Sequence, residues 1–177
     1  GFCLVGSEMC IRDRLVSEGK ITNYSLEKLN FEKEIDKQGK IDDVLSPNDT
    51  ILTQIIKEPI STKGPRISSE LSFAGRFLVL IPLSNRISVS QKIKSKKERD
   101  RLKKLIEEFR PKGFGVIIRT VAQGKKVAEL EKDLQSLYNQ WLSLCSKING
   151  AKPPSRILSE LNRSSSILRD LFDDQFK

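Results

Sequence analysis

The sequence predicts an α+β protein, and three kinds of apolar pattern lead to that fold class. Apolar runs of strand length, Ile51 to Ile56 and Arg76 to Pro82, are bounded by turn residues. A further run, Gly113 to Thr120 ("GFGVIIRT"), is typical of a strand buried on both faces. The stretches that begin at Ser95 and at Val127 carry apolar residues at helical spacing instead. Strands and helices therefore both contribute to the predicted core.

The composition fits a globular chain with a basic charge. Its 177 residues are 37% hydrophobic and 31% charged, which is enough for a core in one or two small domains. The formal net charge of +9 favours polyanionic partners, because lysine and arginine neutralise phosphates and release counterions. A basic total does not by itself establish nucleic-acid binding, so the motifs must decide.

Cysteine and histidine content narrows the possible chemistry. The chain has no histidine, and Cys3, Cys10 and Cys145 include no C-x-x-C pair, so a Cys/His zinc site or catalytic pair is not expected. The same cysteine usage fits a reducing compartment, and we predict a cytoplasmic protein. The longest apolar runs are too short for a bilayer span, which needs about 20 residues, so no membrane role is predicted.

Residues 1–14, "GFCLVGSEMCIRDR", share no periodicity with the residues that follow. They look like the translation of a sequencing adapter, and we leave them out of the fold prediction as an artefact. The alternative is a short native strand, "FCLV", followed by a turn. If the segment is an artefact, the chain is a fragment whose parent begins upstream.

The next segment, residues 16–45, is polar and of mixed charge, and predicts an exposed insertion. After a turn at Ser46 to Asp49, the first apolar run predicts a strand that stops near Pro59. The tail from Pro153 contains a second helix-like stretch, "SSSILRDLFDDQF", which indicates a further unit cut short.

A shorter helix is predicted from Ser95, with Leu102 and Ile106 on its apolar face. Ser95 and Glu98 have the spacing of a capping box, and Pro111 with Gly113 would end the helix. The basic run Lys92 to Lys104 surrounds this helix. Its cations alternate with acidic residues, so a solvated helix face is favoured over a contact surface for RNA.

A longer helix is predicted from Val127 to Gly150, where apolar residues repeat every seven positions. The repeat extends over only about three heptads, so packing within the same domain is favoured over a dimeric coiled coil. Tyr138 and Trp141 lie in this helix and are predicted to be core residues rather than platforms for stacked bases.

Arg119 and Thr120 end a predicted buried strand, which places a permanent cation at the edge of a core. A guanidinium beside a hydroxyl suits a phosphate, because the planar group makes two parallel charge-assisted hydrogen bonds. Gly75, at the start of another strand, would let backbone N–H groups approach an anion closely. The alternative for Arg119 is a salt bridge to an acidic residue at the rim of the core.

Three stretches in this order resemble the ribonuclease E/G family, and most closely a ribonuclease G of the Bacteroidetes type. They are "KEPISTKGPRISSELSFAGRFLVLIP", "SVSQKIKSKKERDRLKKLIEEF" and "KGFGVIIRTVAQGKKVAELEKDLQSLYNQW". The similarity covers residues 40–176 approximately. It implies the end of an OB-fold β-barrel followed by a small α/β domain that senses an RNA 5′-monophosphate and carries a long C-terminal helix, truncated at both ends.

The resemblance also implies domain boundaries. Residues 15–62 would hold the insertion and the last strands of the OB-fold, residues 63–152 the 5′-monophosphate sensor, and residues 153–177 the start of an RNase H-like segment.

The resemblance further implies individual site residues. The arginine and threonine of the family's phosphate pocket correspond to Arg119 and Thr120, and its other wall corresponds to Gly75 and Val79. The basic residue of "TKG", Lys63, is a further candidate RNA contact. Relatives carry paired arginines where this chain has Gln91 and Lys92, so Lys92 is a candidate contact that departs from the family pattern.

The whole enzyme implied by the resemblance is a single-strand-specific endoribonuclease that forms homo-oligomers. Its catalysis uses magnesium held by aspartates in a downstream domain, and zinc links its subunits. Neither set of ligands is expected in this chain, and Asp170, Asp173 and Asp174 are not predicted to bind metal. The alternatives are a stand-alone RNA-binding module and a helical scaffold that dimerises through the longer helix.

Overall fold

The computed structural model describes residues 2–5, 47, 51–148 and 151–159. The strands are β1 (Phe2–Val5), β2 (Ile51–Lys57), β3 (Arg66–Ser68), β4 (Phe73–Ala74), β5 (Leu78–Pro82), β6 (Ile87–Val89), β7 (Phe114–Ile118) and β8 (Ser155–Leu158). The helices are α1 (Lys96–Phe109) and α2 (Val127–Ile148), with a 3-10 turn at Thr120–Ala122. The mixture of sheets and helices confirms the α+β prediction. The predicted insertion at 16–45 and the helix-like tail after 160 lie outside the described residues.

The first sheet has the strand order β3-β2-β1-β8, with antiparallel pairing throughout. Strand β2 matches the predicted strand that ends before Pro59. Strand β1 lies between β2 and β8, so residues 2–5 pair within this sheet, although the fold prediction left residues 1–14 out; that the segment is an artefact stays a prediction. The physical reason for the pairing is that "FCLV" supplies the backbone groups that complete the ladder between β2 and β8, as the alternative strand prediction requires.

The second sheet has the strand order β4-β5-β7-β6, in which β6 runs parallel to β7 and the other pairs are antiparallel. The chain passes from the first sheet to the second between Ser68 and Phe73. Gln54 of β2 fixes this passage, because its buried side-chain amide accepts from the Ser72 N–H at 2.8 Å and donates to the Ser72 carbonyl at 3.0 Å.

Strand β7 corrects the prediction of a strand buried on both faces. Phe114, Val116 and Ile118 are buried, whereas Ile117 is 37% exposed. Side chains alternate between the two faces of a strand, so only one face of β7 lies against the core. Ile117 pairs with Val79 of β5, which is itself only half-buried, and the outer face of the sheet therefore stays partly open.

Helix α1 begins and ends where the sequence predicts. The Ser95 hydroxyl accepts a hydrogen bond from the Glu98 N–H at 3.4 Å, which caps the first turn. Leu102 and Ile106 are buried, and α1 packs beside β6. The second half of the predicted capping box is replaced, because the Glu98 carboxylate binds Arg101 and Gly124 instead.

Helix α2 supplies the largest part of the core. It packs against β4, β5 and β8 through the seven-residue pattern, whose buried members are Leu130, Leu134, Leu137, Trp141, Leu144 and Ile148. Trp141 and Tyr138 meet Phe114 edge to face, which confirms the core prediction for both rings. Val127 is exposed because it begins the helix. The buried pattern favours packing within the domain, as predicted.

No helix among the described residues is long and apolar enough to span a membrane.

Candidate nucleic-acid interface

Most of the residues that the sequence singled out lie at one end of the second sheet. Strands β6 and β7 are parallel and end together, because Val89 pairs with Ile118, and β5 is antiparallel and begins opposite the same residue. The segments before β5, after β6 and after β7 therefore meet at one edge. We call this edge the basic edge, and it comprises Gly75, Arg76, Lys92, Arg119, Thr120 and Lys125.

Arg119 follows the last residue of β7 and is half-buried. Its Nη1 donates to the carbonyl oxygens of Gly75 at 2.6 Å and Arg76 at 3.1 Å, and its backbone N–H donates to the Phe77 carbonyl at 2.9 Å. The guanidinium is thus held by backbone carbonyls of the segment that precedes β5. Thr120 follows Arg119 at the start of the 3-10 turn and is exposed.

The N–H groups of that same segment point to a carboxylate. Asp133 of α2 accepts from the Arg76 N–H at 3.1 Å and from the Phe77 and Leu78 N–H groups at 2.9 Å each. We call residues 75–77 the β5 entry loop. Its carbonyls accept from Arg119, and the N–H groups of Arg76, Phe77 and Leu78 donate to Asp133. The Gly75 N–H donates to the Leu78 carbonyl at 2.8 Å, so both sides of the loop backbone are bonded.

Gly75 is required at this position by space rather than by its backbone angles. A β-carbon on residue 75 would lie 2.6 Å from Oδ2 and 2.7 Å from Oδ1 of Asp133. The sequence predicted that Gly75 would admit an anion to the neighbouring N–H groups. The anion that these N–H groups bind in the structure is the Asp133 carboxylate.

The loop after Arg119 is held by Glu98. The Glu98 carboxylate accepts from the Gly124 N–H at 2.9 Å and forms two bonds of 2.7 Å with the Arg101 guanidinium. Gly124 has φ +73°, which glycine adopts without strain. The Arg101 hydrogen bond and the Gly124 N–H lower the pKa of Glu98 to about 2. Glu98 is therefore ionised at neutral pH and ties α1 to this loop.

Phe77 is buried beneath two cations of the basic edge. The Arg76 guanidinium carbon lies 5.2 Å from the centre of the ring, and Lys125 Nζ lies 5.5 Å from it. Lys125 also pairs with Glu129 at 3.2 Å. Cation–π contact of this kind fixes charged groups over an apolar surface. The buried Phe77 ring therefore holds the positive charges of Arg76 and Lys125 close together at the basic edge.

The remaining predicted residues take different places. Lys92 is exposed in the turn after β6, a turn that is anchored by the bond from the Ser90 N–H to the Ile118 carbonyl at 2.9 Å. Val79 lies on β5 opposite Ile117, on the outer face of the sheet. Lys63 is exposed in the turn between β2 and β3, where it bridges to Ile60, and so it belongs to the first sheet and not to the basic edge.

Within the described residues, no group of three or more His, Cys, Asp or Glu side chains lies together in a way that could hold a metal ion. Asp170, Asp173 and Asp174 lie outside the described part of the chain.

Comparison with known proteins decides the family. A sequence profile of the Ribonuclease E/G family matches residues 72–177, which is more than half of the chain and includes the whole basic edge. The chain belongs to the Ribonuclease E/G family. The resemblance in the three sequence stretches is thereby confirmed.

Curated members of the family are similar over most of this chain. Ribonuclease E of Nostoc sp. is 33% identical over 132 residues, which cover 75% of this chain and 19% of that protein. Ribonuclease G of Escherichia coli is 32% identical over 133 residues, which cover 75% of this chain and 27% of that protein. Ribonuclease G of Haemophilus influenzae is 34% identical over 134 residues, or 76% of this chain and 27% of that protein.

This family member thus spans about a fifth to a quarter of the length of the curated relatives it matches. Because ribonucleases E and G both match, the ribonuclease G subtype of the Bacteroidetes type stays a prediction.

Sequence reasoning missed Asp133 and the structural role of Glu98. Asp133 lies between Leu130 and Leu134, two apolar residues of the seven-residue repeat. An acidic side chain next to these predicted core positions was the only signal in the sequence for its role. The partner N–H groups lie more than 50 residues away, which a local pattern does not reveal.

Proposed function

We propose that this chain is the RNA-binding and 5′-end-sensing part of a magnesium-dependent, single-strand-specific endoribonuclease of the Ribonuclease E/G family. In this proposal the basic edge binds the 5′-monophosphate of single-stranded RNA. Residues 63–152 would form most of the sensor, and the first sheet would belong to an RNA-binding OB-fold. The whole enzyme would act in RNA processing and decay in the cytoplasm as a homo-oligomer.

The observation that carries the proposal is the meeting of Arg119, Thr120 and Gly75 at one end of the second sheet. These residues are 44 or more positions apart in the chain, except for the adjacent pair, and Arg119 Nη1 contacts the Gly75 carbonyl directly. The family resemblance assigns the same residues to a phosphate pocket. Their convergence is what a shared phosphate site requires.

The chemistry of the edge suits a phosphate monoester. Arg119 keeps its charge at any physiological pH, and the carbonyls of the β5 entry loop fix the orientation of its guanidinium. The exposed Thr120 hydroxyl can donate to a phosphate oxygen beside it. Lys92 and Lys125 add charge that attracts the RNA, an effect that salt would screen.

The outer face of the second sheet would lie along the path of the RNA. Val79 and Ile117 pair on this face, and Arg119 lies just beyond the end of β7. In the first sheet, exposed Lys63 would contact the RNA backbone further along. Phosphate contacts of this type position a chain without reading its sequence.

The proposed role in catalysis is positional. Docking of the terminal phosphate would hold the RNA while hydrolysis occurs elsewhere in the whole enzyme, where magnesium supplies an activated water and stabilises charge on the phosphate. No cleavage step is assigned to the described residues. We therefore expect purified chain not to cleave RNA, with or without magnesium.

Binding to two RNAs tests the proposal. Two fluorescent single-stranded oligonucleotides of one sequence, one with a 5′-monophosphate and one with a 5′-hydroxyl, are titrated with the chain at fixed salt. We expect the monophosphate form to bind roughly tenfold tighter, as one or more charge-assisted hydrogen bonds would produce. Equal dissociation constants for both ends would overturn the proposal.

A further inference from the structure

We infer that Asp133 is a positioning residue for the proposed 5′-phosphate site, acting through the β5 entry loop rather than by touching RNA. This inference rests on the function proposed above. It adds to the site a residue on a different element, α2, which the family resemblance did not single out.

The geometry that carries the inference is a carboxylate that meets three consecutive backbone donors. Oδ1 accepts from the Arg76 N–H, and Oδ2 accepts from those of Phe77 and Leu78, all within 3.1 Å. Successive N–H groups that point to one anion define the path of the backbone closely. Asp133 is half-buried on a helix whose neighbouring side chains, Leu130 and Leu134, lie in the core. It is therefore a fixed anchor.

The loop that Asp133 anchors is the loop that orients Arg119. The Gly75 and Arg76 carbonyls receive Nη1, so a shift of this backbone would also move the guanidinium. A mismatch of about 1 Å is enough to weaken bonds whose optimal length is near 3 Å. Asp133 therefore sets where the positive charge of the site lies.

The negative charge of Asp133 is compatible with a nearby phosphate because three backbone N–H groups donate hydrogen bonds to the carboxylate. An isolated carboxylate at the basic edge would repel an anion, but this one is bonded to backbone dipoles on the side away from Arg119. The inference distinguishes Asp133 from Glu131, an exposed carboxylate two residues earlier on the same helix with the same formal charge.

Two variants test the inference by different routes. Asp133→Asn removes the charge and places amide hydrogens against the loop N–H groups. Gly75→Ala keeps Asp133 but puts a β-carbon where the carboxylate lies. Glu131→Gln is the matched control for the change in net charge. Circular dichroism confirms that each variant is folded at the assay temperature.

The readout is the ratio of dissociation constants for 5′-hydroxyl and 5′-monophosphate RNA, which a general loss of RNA affinity would not change. We expect Asp133→Asn and Gly75→Ala each to lower this ratio by about fivefold to tenfold. The double variant should lower it little further, because both substitutions disrupt one contact. Glu131→Gln should keep the wild-type ratio.

The outcomes separate the inference from the proposed function. If the wild type prefers the monophosphate and both variants keep that preference while folded, Asp133 is not a positioning residue and the proposed function stands. If the two variants act additively, the inference is also overturned, because they would not share a contact. If the wild type shows no preference, the proposed function fails and the inference fails with it.

Discussion

Arg119 and Asp133 hold opposite sides of one short backbone segment. Nη1 of Arg119 lies 2.6 Å from the Gly75 carbonyl oxygen, and Oδ2 of Asp133 lies 2.9 Å from the N–H groups of Phe77 and Leu78. A cation that directly follows β7 and an anion of α2 thereby fix the segment between β4 and β5. The position of the basic edge follows from this pair of contacts.

Gly75→Ala should destabilise the fold. The added β-carbon would lie 2.6 Å from Oδ2 of Asp133, so the carboxylate must move away from its three N–H partners. We expect a loss of about 1 to 3 kcal/mol in the free energy of unfolding, measured by urea denaturation.

Gly64→Ala is the control for this substitution, because a β-carbon there meets no atom within 4 Å. It should change stability by less than about 0.5 kcal/mol. Equal losses for the two alanine variants would contradict the contact between Gly75 and Asp133.

The bond between Glu98 and Gly124 should make stability depend on acid. The Glu98 pKa is lowered from 4.5 to about 2 in the fold by the Arg101 hydrogen bond and the Gly124 N–H. A lowered carboxyl pKa means that the ionised form contributes stability above pH 4.5, and that this contribution is lost as pH falls toward 2. Glu98→Gln should thus cost about 1 to 2 kcal/mol at pH 7, after allowance for solvent screening.

The difference between wild type and Glu98→Gln should shrink steadily between pH 4.5 and pH 2, as measured by urea unfolding at several pH values. Glu108→Gln, a change to an exposed carboxylate on the same helix, serves as the control and should leave the wild-type pH dependence in place. A constant gap between wild type and Glu98→Gln across this range would show that Glu98 does not act through its charge.

Cys145 should be unreactive in the folded protein. Its side chain is buried in α2, and burial raises the pKa of the thiol to about 12. The thiolate is the reactive form, so alkylation at pH 8 should be far slower in the native chain than in urea. Peptide mass spectrometry distinguishes Cys145 from Cys3 and Cys10. Equal labelling rates in the two conditions would show that Cys145 is accessible to the reagent in the folded protein.

Strand β1 should stabilise the first sheet. Phe2–Val5 lies between β2 and β8, so deletion of residues 1–14 leaves both neighbouring strands without their partner. We expect the thermal midpoint to fall by more than roughly 5 °C. An unchanged midpoint would support the first expectation, that the segment is an artefact without a role in the fold.

Local patterns in the sequence were sufficient for β5, β7 and both helices, but not for β4 and β6, which are only two and three residues long. The apolar run that contains Val79, the capping signal at Ser95 and the seven-residue repeat of α2 each depend on residues close in the chain. Periodicity reports such features directly. The exposure of Ile117 was not predictable in this way, because three consecutive apolar residues do not reveal which face of a strand is covered.

The candidate site was predictable only in part. Arg119, Thr120 and Gly75 were found from the strand ends and the family resemblance, and the strand register explains why they meet. The contacts of Asp133 and Glu98 depend on packing between elements far apart in the chain, so no spacing of residues in the sequence predicts them. The capping box predicted that the Glu98 side chain would bind the backbone N–H of Ser95, whereas it binds Arg101 and Gly124.

The most direct test of the central claim compares Arg119→Ala with Arg110→Ala. Arg110 is also half-buried and donates through Nη1 to a backbone carbonyl, that of Phe114 at 2.7 Å, but at the opposite end of β7. Fluorescence anisotropy at fixed salt gives the ratio of dissociation constants for 5′-hydroxyl and 5′-monophosphate RNA. We expect Arg119→Ala to lower this ratio roughly tenfold, to near one, while Arg110→Ala keeps the wild-type value. If folded Arg119→Ala and Arg110→Ala show the same ratio as the wild type, the basic edge does not sense the 5′-phosphate.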